Sequence, residues 1–347
     1  MKKIIIIIFP FLLSSCSNIK VQDYLYPISI GIDYNNSKYQ IYMQLVSYSK
    51  ISKKENESSF DESYEMIILN SEGNTVFDAL TKLQNITKDN ISTAHIRSFI
   101  IGESLIKNNS NYIEIIRAFF DNNYLRSNLN IFSTKSILDI YKASRIIDNT
   151  PYSNEINEPS TFRYLKPINY LYFLKSVYDN RCVYLPYIIV DKDSSSYVDD
   201  GEIKENYIIE INGAYYIYNN TFKYFNNEQL IGNFYFIKKQ NARLEIKDKL
   251  YVDIKELKHT ISYNNKIIFN IKLKKPTFYI YDINYEEAKN LIREKIKKEI
   301  YFTYNECYNE IDIFNLNDYK NRYNLNNEFD INIEIKNATI NYSSRIK

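Results

Sequence analysis

The residue best placed to do chemistry is Cys16. It closes the stretch MKKIIIIIFPFLLSSC, where Lys2 and Lys3 give a positive start and Ile4 to Leu13 form a short apolar run. That run is far short of the ~20 residues a membrane-spanning helix needs. A charged start, a greasy middle and small residues at the end describe an export signal. Leu13, Ser14 and Ser15 before Cys16 match the lipobox. In that motif the cysteine sulfur receives a diacylglycerol, cleavage falls just before the cysteine, and the new N-terminus is acylated. The small serines leave the thiol within reach of the enzymes. An ordinary signal with an incidental cysteine is the alternative, and the position and small neighbours of Cys16 favour the N-palmitoyl, S-diacylglycerol form. Two acyl chains at about 0.8 kcal/mol per buried CH₂ would hold the protein stably on a membrane.

Beyond Cys16 the chain offers little reactive chemistry. Cys182 and Cys307 are the remaining cysteines. An exported chain could join them in a disulfide, but both sit in apolar patterns, and the tendency of free cysteine to be buried favours two separate thiols. His95 and His259 are the only histidines. Neither lies in HExxH or at metal spacing from a cysteine, so both read as structural or surface residues. No GxSxG surrounds a serine, and the six glycines are isolated, so no glycine-rich loop can cradle a phosphate. Asp191, Asp193, Ser195, Tyr197, Asp199 and Glu202 fall at the spacing of a calcium loop. Ser196 stands where glycine makes the sharp turn, however, and a strand pattern precedes it. A solvated linker is the better reading. No catalytic, cofactor-binding or metal residue is assigned, and no cofactor is expected.

Lys+Arg 44 against Asp+Glu 42 is nearly balanced, with no basic block. That argues against nucleic acid as a partner. Tyrosine is abundant at 35 while tryptophan is absent. In a chain rich in Ile, Asn and Lys this reads as compositional bias before it reads as a binding surface.

The elements that must position any site mix strands and helices. PISIGIDY (27–34) and KYQIYMQLVSY (38–48) flank Asn35-Asn36-Ser37 and predict a hairpin. A polar loop covers 49–63, and a strand follows at 64–70. Val76, Leu80 and Leu83 recur at helical spacing. Segments 95–102 and 128–134 read as strands, and 111–123 and 135–144 as helices. Pro151, Pro159 and Pro167 mark a loop-rich passage, followed by a helix over 168–179 and a strand over 183–191. The acidic, serine-rich segment 191–202 is the best candidate boundary. YIIEING, AYYIYNN and TFKYF predict a small meander, and 243–274 alternates strongly around a turn at Asn264-Asn265. Residues 285–309 form the longest helical pattern, and 329–336 a half-exposed strand.

These patterns predict an α+β (mixed α/β), multi-domain protein. The expected division is a signal over 1–16, with Cys16 retained. An N-terminal α/β domain follows over 17–192, a small middle domain or linker over 193–245, and a C-terminal α+β domain over 246–347.

Six short motifs, in order, resemble the Ger(x)C family, the lipoprotein C subunits of spore germinant receptors. After the lipobox come Ile28-Ser29-Ile30-Gly31-Ile32-Asp33 and then Tyr39-Gln40-Ile41-Tyr42-Met43-Gln44. Ser71-Glu72-Gly73-Asn74-Thr75-Val76-Phe77-Asp78-Ala79-Leu80 resembles the family's glycine-threonine lead into a helix. Ala94-His95-Ile96-Arg97-Ser98-Phe99-Ile100-Ile101-Gly102-Glu103 resembles its "SH-x-K-x-x-x-IGE" segment. Gly213-Ala214 with Leu230-Ile231-Gly232, and then Asp312-Ile313-Phe314, continue the order. Ala94 replaces a serine found before the histidine in many relatives, which weakens a functional role for His95.

The resemblance implies a non-enzymatic lipoprotein anchored on the outer face of the spore inner membrane. Its partners would be the integral membrane A and B subunits of a receptor for small nutrients. A solute-binding lipoprotein, expected to have two lobes of similar topology, and a lipid-anchored cell-wall hydrolase, expected to have a concave acidic or metal site, are the competing readings.

Overall fold

A computed structural model describes residues 24–46, 66–87, 90–108, 111–123, 125–144, 164–199, 202–219, 221–237, 239–246, 249–263, 266–308, 310–317 and 329–342. The lipobox, the polar loop 49–63, Pro151, Pro159 and the turn at Asn264-Asn265 lie outside them. The architecture is α+β, as the sequence predicts.

The chain opens with β1 (Tyr24–Leu25), β2 (Pro27–Asn35), β3 (Lys38–Val46) and β4 (Met66–Gly73). Strands β2 and β3 pair antiparallel as far as Asn35 opposite Lys38. The loop between them is Asn36 and Ser37, both left-handed at φ 51° and 61°. That is the conformation a two-residue hairpin loop of matching twist requires. Helix α1 (Val76–Ile86) follows, its first turn capped by Thr75, whose side chain accepts from the Asp78 N–H. It buries Ala79 and Leu83, one turn apart on one face.

Next come β5 (Asn90–Ile91), a 3₁₀ turn Thr93–His95, β6 (Ser98–Gly102), α2 (Glu103–Asn108), α3 (Tyr112–Asn123), β7 (Asn130–Thr134) and α4 (Ile137–Ala143). Then β8 (Ile168–Asn169), α5 (Tyr170–Tyr178), β9 (Val183–Asp199), β10 (Glu202–Tyr218) and β11 (Thr221–Phe225) complete a nine-stranded sheet. Its order is β11-β10-β9-β7-β6-β2-β3-β4, with β8 also on β7. The central strands β2, β6, β7 and β9 run parallel. Parallel strands covered on both faces read as unbroken apolar runs, and Ser98–Gly102 is buried at every residue. One face packs α1, α3 and α5 through residues such as Ile30, Phe99, Phe119 and Phe173. The other packs α4 through Ile100, Phe132, Ile137 and Tyr141.

Two expectations are corrected here. Segment 191–202 is not a linker: β9 runs to Asp199 and β10 starts at Glu202, paired antiparallel from Asp199 opposite Glu202. Polar composition reports solvation, whereas the partner strand is what makes this backbone extended. YIIEING and AYYIY are likewise one strand. Between Ile211 and Ala214 the register shifts at a bulge, where Gly213 has φ 124°, a conformation that needs glycine. Since β10 and β11 extend the first sheet, a division between 17–192 and 193–245 falls inside that sheet.

After a 3₁₀ segment, Ile231–Phe236, a second sheet forms from β12 (Lys239–Ile246), β13 (Leu250–Tyr263), β14 (Ile267–Ile280), β15 (Phe329–Lys336) and β16 (Thr339–Tyr342). Strands β12 to β14 are antiparallel, while β15 and β16 run parallel to β14. The crossover holds helix α6 (Tyr285–Cys307), capped by Asn284 and burying Ala288, Ile292, Ile296, Ile300, Thr303 and Cys307. Near four-residue spacing makes that stripe continuous along the helix. Gly232 of the 3₁₀ segment donates its N–H to the Thr303 hydroxyl at 2.7 Å, tying that segment to α6.

Candidate functional site

The structure disperses most of the residues with chemical potential. His95 is half-buried, its ring edge-on to Tyr26 at 5.2 Å. Burial, then the charges of Arg126 and Arg97, push its pKa down. The calcium-like segment from Asp191 to Asp199 runs as strand, not round the loop that such coordination requires. Cys182 and Cys307 are buried and unbridged. Burial raises both thiols, Cys307 to about 12, which leaves them protonated and poorly nucleophilic. Among the described residues no group of three His, Cys, Asp or Glu side chains could hold a metal ion, and no helix is long and apolar enough to cross a membrane.

The short motifs of the first sheet meet in space as braces. Asp33, at the end of β2, accepts hydrogen bonds from the N–H of Tyr34 at 2.8 Å and of Leu105 at 3.0 Å. The second bond satisfies a donor in the first turn of α2. Burial nevertheless raises the Asp33 pKa, opposed by those N–H groups. Gly102 packs directly on this carboxyl group: a Cβ there would overlap the Asp33 side chain. Two motifs about seventy positions apart are therefore two halves of one contact. Gln44 reaches from β3 to the end of α4, donating to the Tyr141 carbonyl at 3.2 Å and to the Ser144 hydroxyl. The Tyr141 hydroxyl donates to Ser29 at 3.1 Å, and Ser98 donates to Ser29 at 2.8 Å. This buried chain joins β2, β3, β6 and α4, and such networks fix one arrangement because each unmet partner is costly.

A concavity lined by both polar and apolar side chains lies where the two units meet. Its volume is about 550 Å³. The first unit supplies Tyr164, α5 and the segment after it, and Tyr216. The second supplies Phe236, His259 and Phe269. Phe236 packs against Phe269 at 4.8 Å and against Phe314 at 4.7 Å, making an aromatic floor. His259 stands edge-on to Phe236 at 5.6 Å, its Nδ1 buried without a hydrogen-bond partner. Burial lowers the His259 pKa, so the ring is neutral near pH 7. Lys175, Asp179 and Arg181 stand at the mouth, all exposed. Residues so distant in sequence gave no motif, and only the alternating strand around His259 was legible beforehand.

Asn315 ties the units together beside this cavity. Its amide donates to the Cys182 carbonyl at 3.1 Å and its oxygen accepts the Cys182 N–H at 2.7 Å. Its own backbone is left-handed at φ 54°, which asparagine tolerates far better than alanine. Asn315→Ala should lose both bonds and add strain, lowering stability by about 2–4 kcal/mol. Urea denaturation measures this directly, and an unchanged midpoint would dismiss Asn315 as the tie.

Residues 18–190 match the family model of the spore germination protein N-terminal domain. The match begins two residues after Cys16 and ends inside β9. No curated protein and no solved structure matches the chain.

Proposed function

We propose a receptor role for this chain, which belongs to the Ger(x)C family of spore germination proteins. In this reading it is the membrane-anchored lipoprotein subunit of a nutrient germinant receptor, acting with integral membrane A and B subunits to trigger germination. It sits on the outer face of the spore inner membrane, held by lipid on Cys16, and works by binding and placement rather than by catalysis. The observation that carries this is the family match, whose first residue, 18, lies two positions beyond Cys16 of the lipobox. A lipid at that point raises the effective concentration of the folded body beside embedded partners. The motif residues support it too, since Asp33, Gly102, Gln44 and Ser29 brace the fold rather than converge on a reacting centre. A solute-binding lipoprotein with two alike lobes is disfavoured, because a nine-stranded mixed sheet faces a five-stranded one of different connectivity.

The test is affinity purification of tagged protein from detergent-solubilised spore membranes. Two multi-spanning proteins should accompany it in constant ratio. Recovery of the chain alone, or with a transport permease, would overturn the receptor role.

A further inference from the structure

We infer that the end of the first unit where the chain enters its sheet docks on a bilayer surface of anionic lipid. The surface stands without the lipid anchor, while the orientation it gives the body rests on the reading of Cys16. Strands β2, β6 and β7 start side by side at this end, with Ser29 opposite Ser98 and Ser98 opposite Asn130. The Arg97 N–H donates to the Ile28 carbonyl at 3.0 Å, and the Asn130 N–H to the Arg97 carbonyl at 2.8 Å. The Leu171 N–H donates to the Ser127 carbonyl at 2.9 Å, which brings the first turn of α5 here. Strand β1 is here too, since it leads into β2 and pairs with β5 soon after α1 ends at Ile86.

The side chains at this end are cationic and apolar. Arg97 and Arg126 are exposed, and neither has an ion-pair partner among the described residues. After burial, it is their two charges that oppose a proton on His95, so both stand near one place. Asp121, an acid in the last turn of α3, is already paired with Arg117 at 3.8 Å. Ile86 and Leu171 are 59% and 56% exposed. Guanidinium groups take phosphate oxygens two at a time, and apolar side chains enter the boundary below the headgroups. The tether selects a bilayer as the occupant. Seven residues, 17–23, separate Cys16 from Tyr24, a reach of at most about 29 Å. Strand β2, of nine residues, is itself about 30 Å long. Laying the Asn36-Ser37 end on the lipid would draw the tether taut, whereas this end reaches it with slack.

The test is sedimentation of the protein with sucrose-loaded vesicles at low ionic strength. The chain used begins at Ser17, without signal or lipid, and keeps every described residue, since the first strand starts at Tyr24. Vesicles of phosphatidylglycerol mixed with phosphatidylcholine are compared with vesicles of phosphatidylcholine alone. The protein should partition onto the anionic vesicles and be released by salt. Arg97→Gln combined with Arg126→Gln, both exposed changes, should weaken that partition about thirtyfold, at about fivefold per basic residue. Lys38→Gln combined with Lys107→Gln removes the same charge from exposed positions towards the opposite end and should leave it unchanged. The inference is overturned if the anionic vesicles bind no more protein than the neutral ones. It is equally overturned if the arginine pair can be replaced without loss, or if the lysine pair matters as much. Palmitate labelling of the full-length protein reports on Cys16 separately, so failure of the anchor and failure of this surface are told apart.

Discussion

Gly102→Ala is expected to leave the N-terminal unit without a cooperative unfolding transition, or to cost it about 4 kcal/mol or more. The added methyl group would fall inside the space of the Asp33 carboxyl group. Neither partner has room to yield. Strand β6 is fixed between β2 and β7, with Ile101 opposite both Ile32 and Ser133. Asp33 is held by the Leu105 N–H at the start of α2. Moving Asp33 aside would leave that buried donor unpaired, and moving β6 would break a parallel ladder on both sides. Closely packed interiors transmit such an insertion instead of absorbing it. Near-UV circular dichroism through a thermal ramp reads the outcome. A variant melting within a few degrees of the wild type would show that Asp33 has freedom the packing denies it.

Cys16→Ala is expected to abolish lipid attachment and release the protein from the spore membrane fraction, with the germination response impaired. In the lipoprotein reading the anchor would consist of acyl chains, each buried CH₂ contributing about 0.8 kcal/mol, so losing the acceptor thiol would remove nearly all of the membrane affinity. Radiolabelled palmitate should enter the wild type and not the variant. Equal labelling of both, or an unlabelled wild type that still sediments with membranes, would defeat the lipoprotein reading. The fold should be unaffected, since the first described strand begins only at Tyr24. Cys16→Ala and Gly102→Ala therefore separate cleanly: one mislocates a folded body, the other removes the body itself.

Much of the fold was legible because side-chain period is a local property. Apolar residues at 30, 32 and 41 alternate as strands require. Ala288, Ile292, Ile296 and Ile300 recur at helical spacing. Asn36-Ser37 announced its hairpin because the loop chemistry resides in the loop residues themselves. Segment 191–202 was misread for the opposite reason. Its serines and aspartates describe contact with water, while its extended form depends on pairing with β10. Helix α2 was missed because six residues are too few to establish a period. Gly213 read as the end of a strand, although a bulge keeps one strand continuous through it.

By itself, then, the sequence determined the element types and the α+β class, readable within a window of a few residues, and it predicts an export signal with an acceptor thiol at Cys16. The order of short motifs added the family. Only the tertiary structure decided what those motifs do: Asp33 supports a helix beginning at Glu103, and Gly102 is glycine because Asp33 occupies the space beside it. Only it formed the cavity, whose walls join α5 to His259 and Phe314. Such contacts are set by the packing of sheets and helices far apart in the chain, and packing leaves no local pattern in the residues that take part.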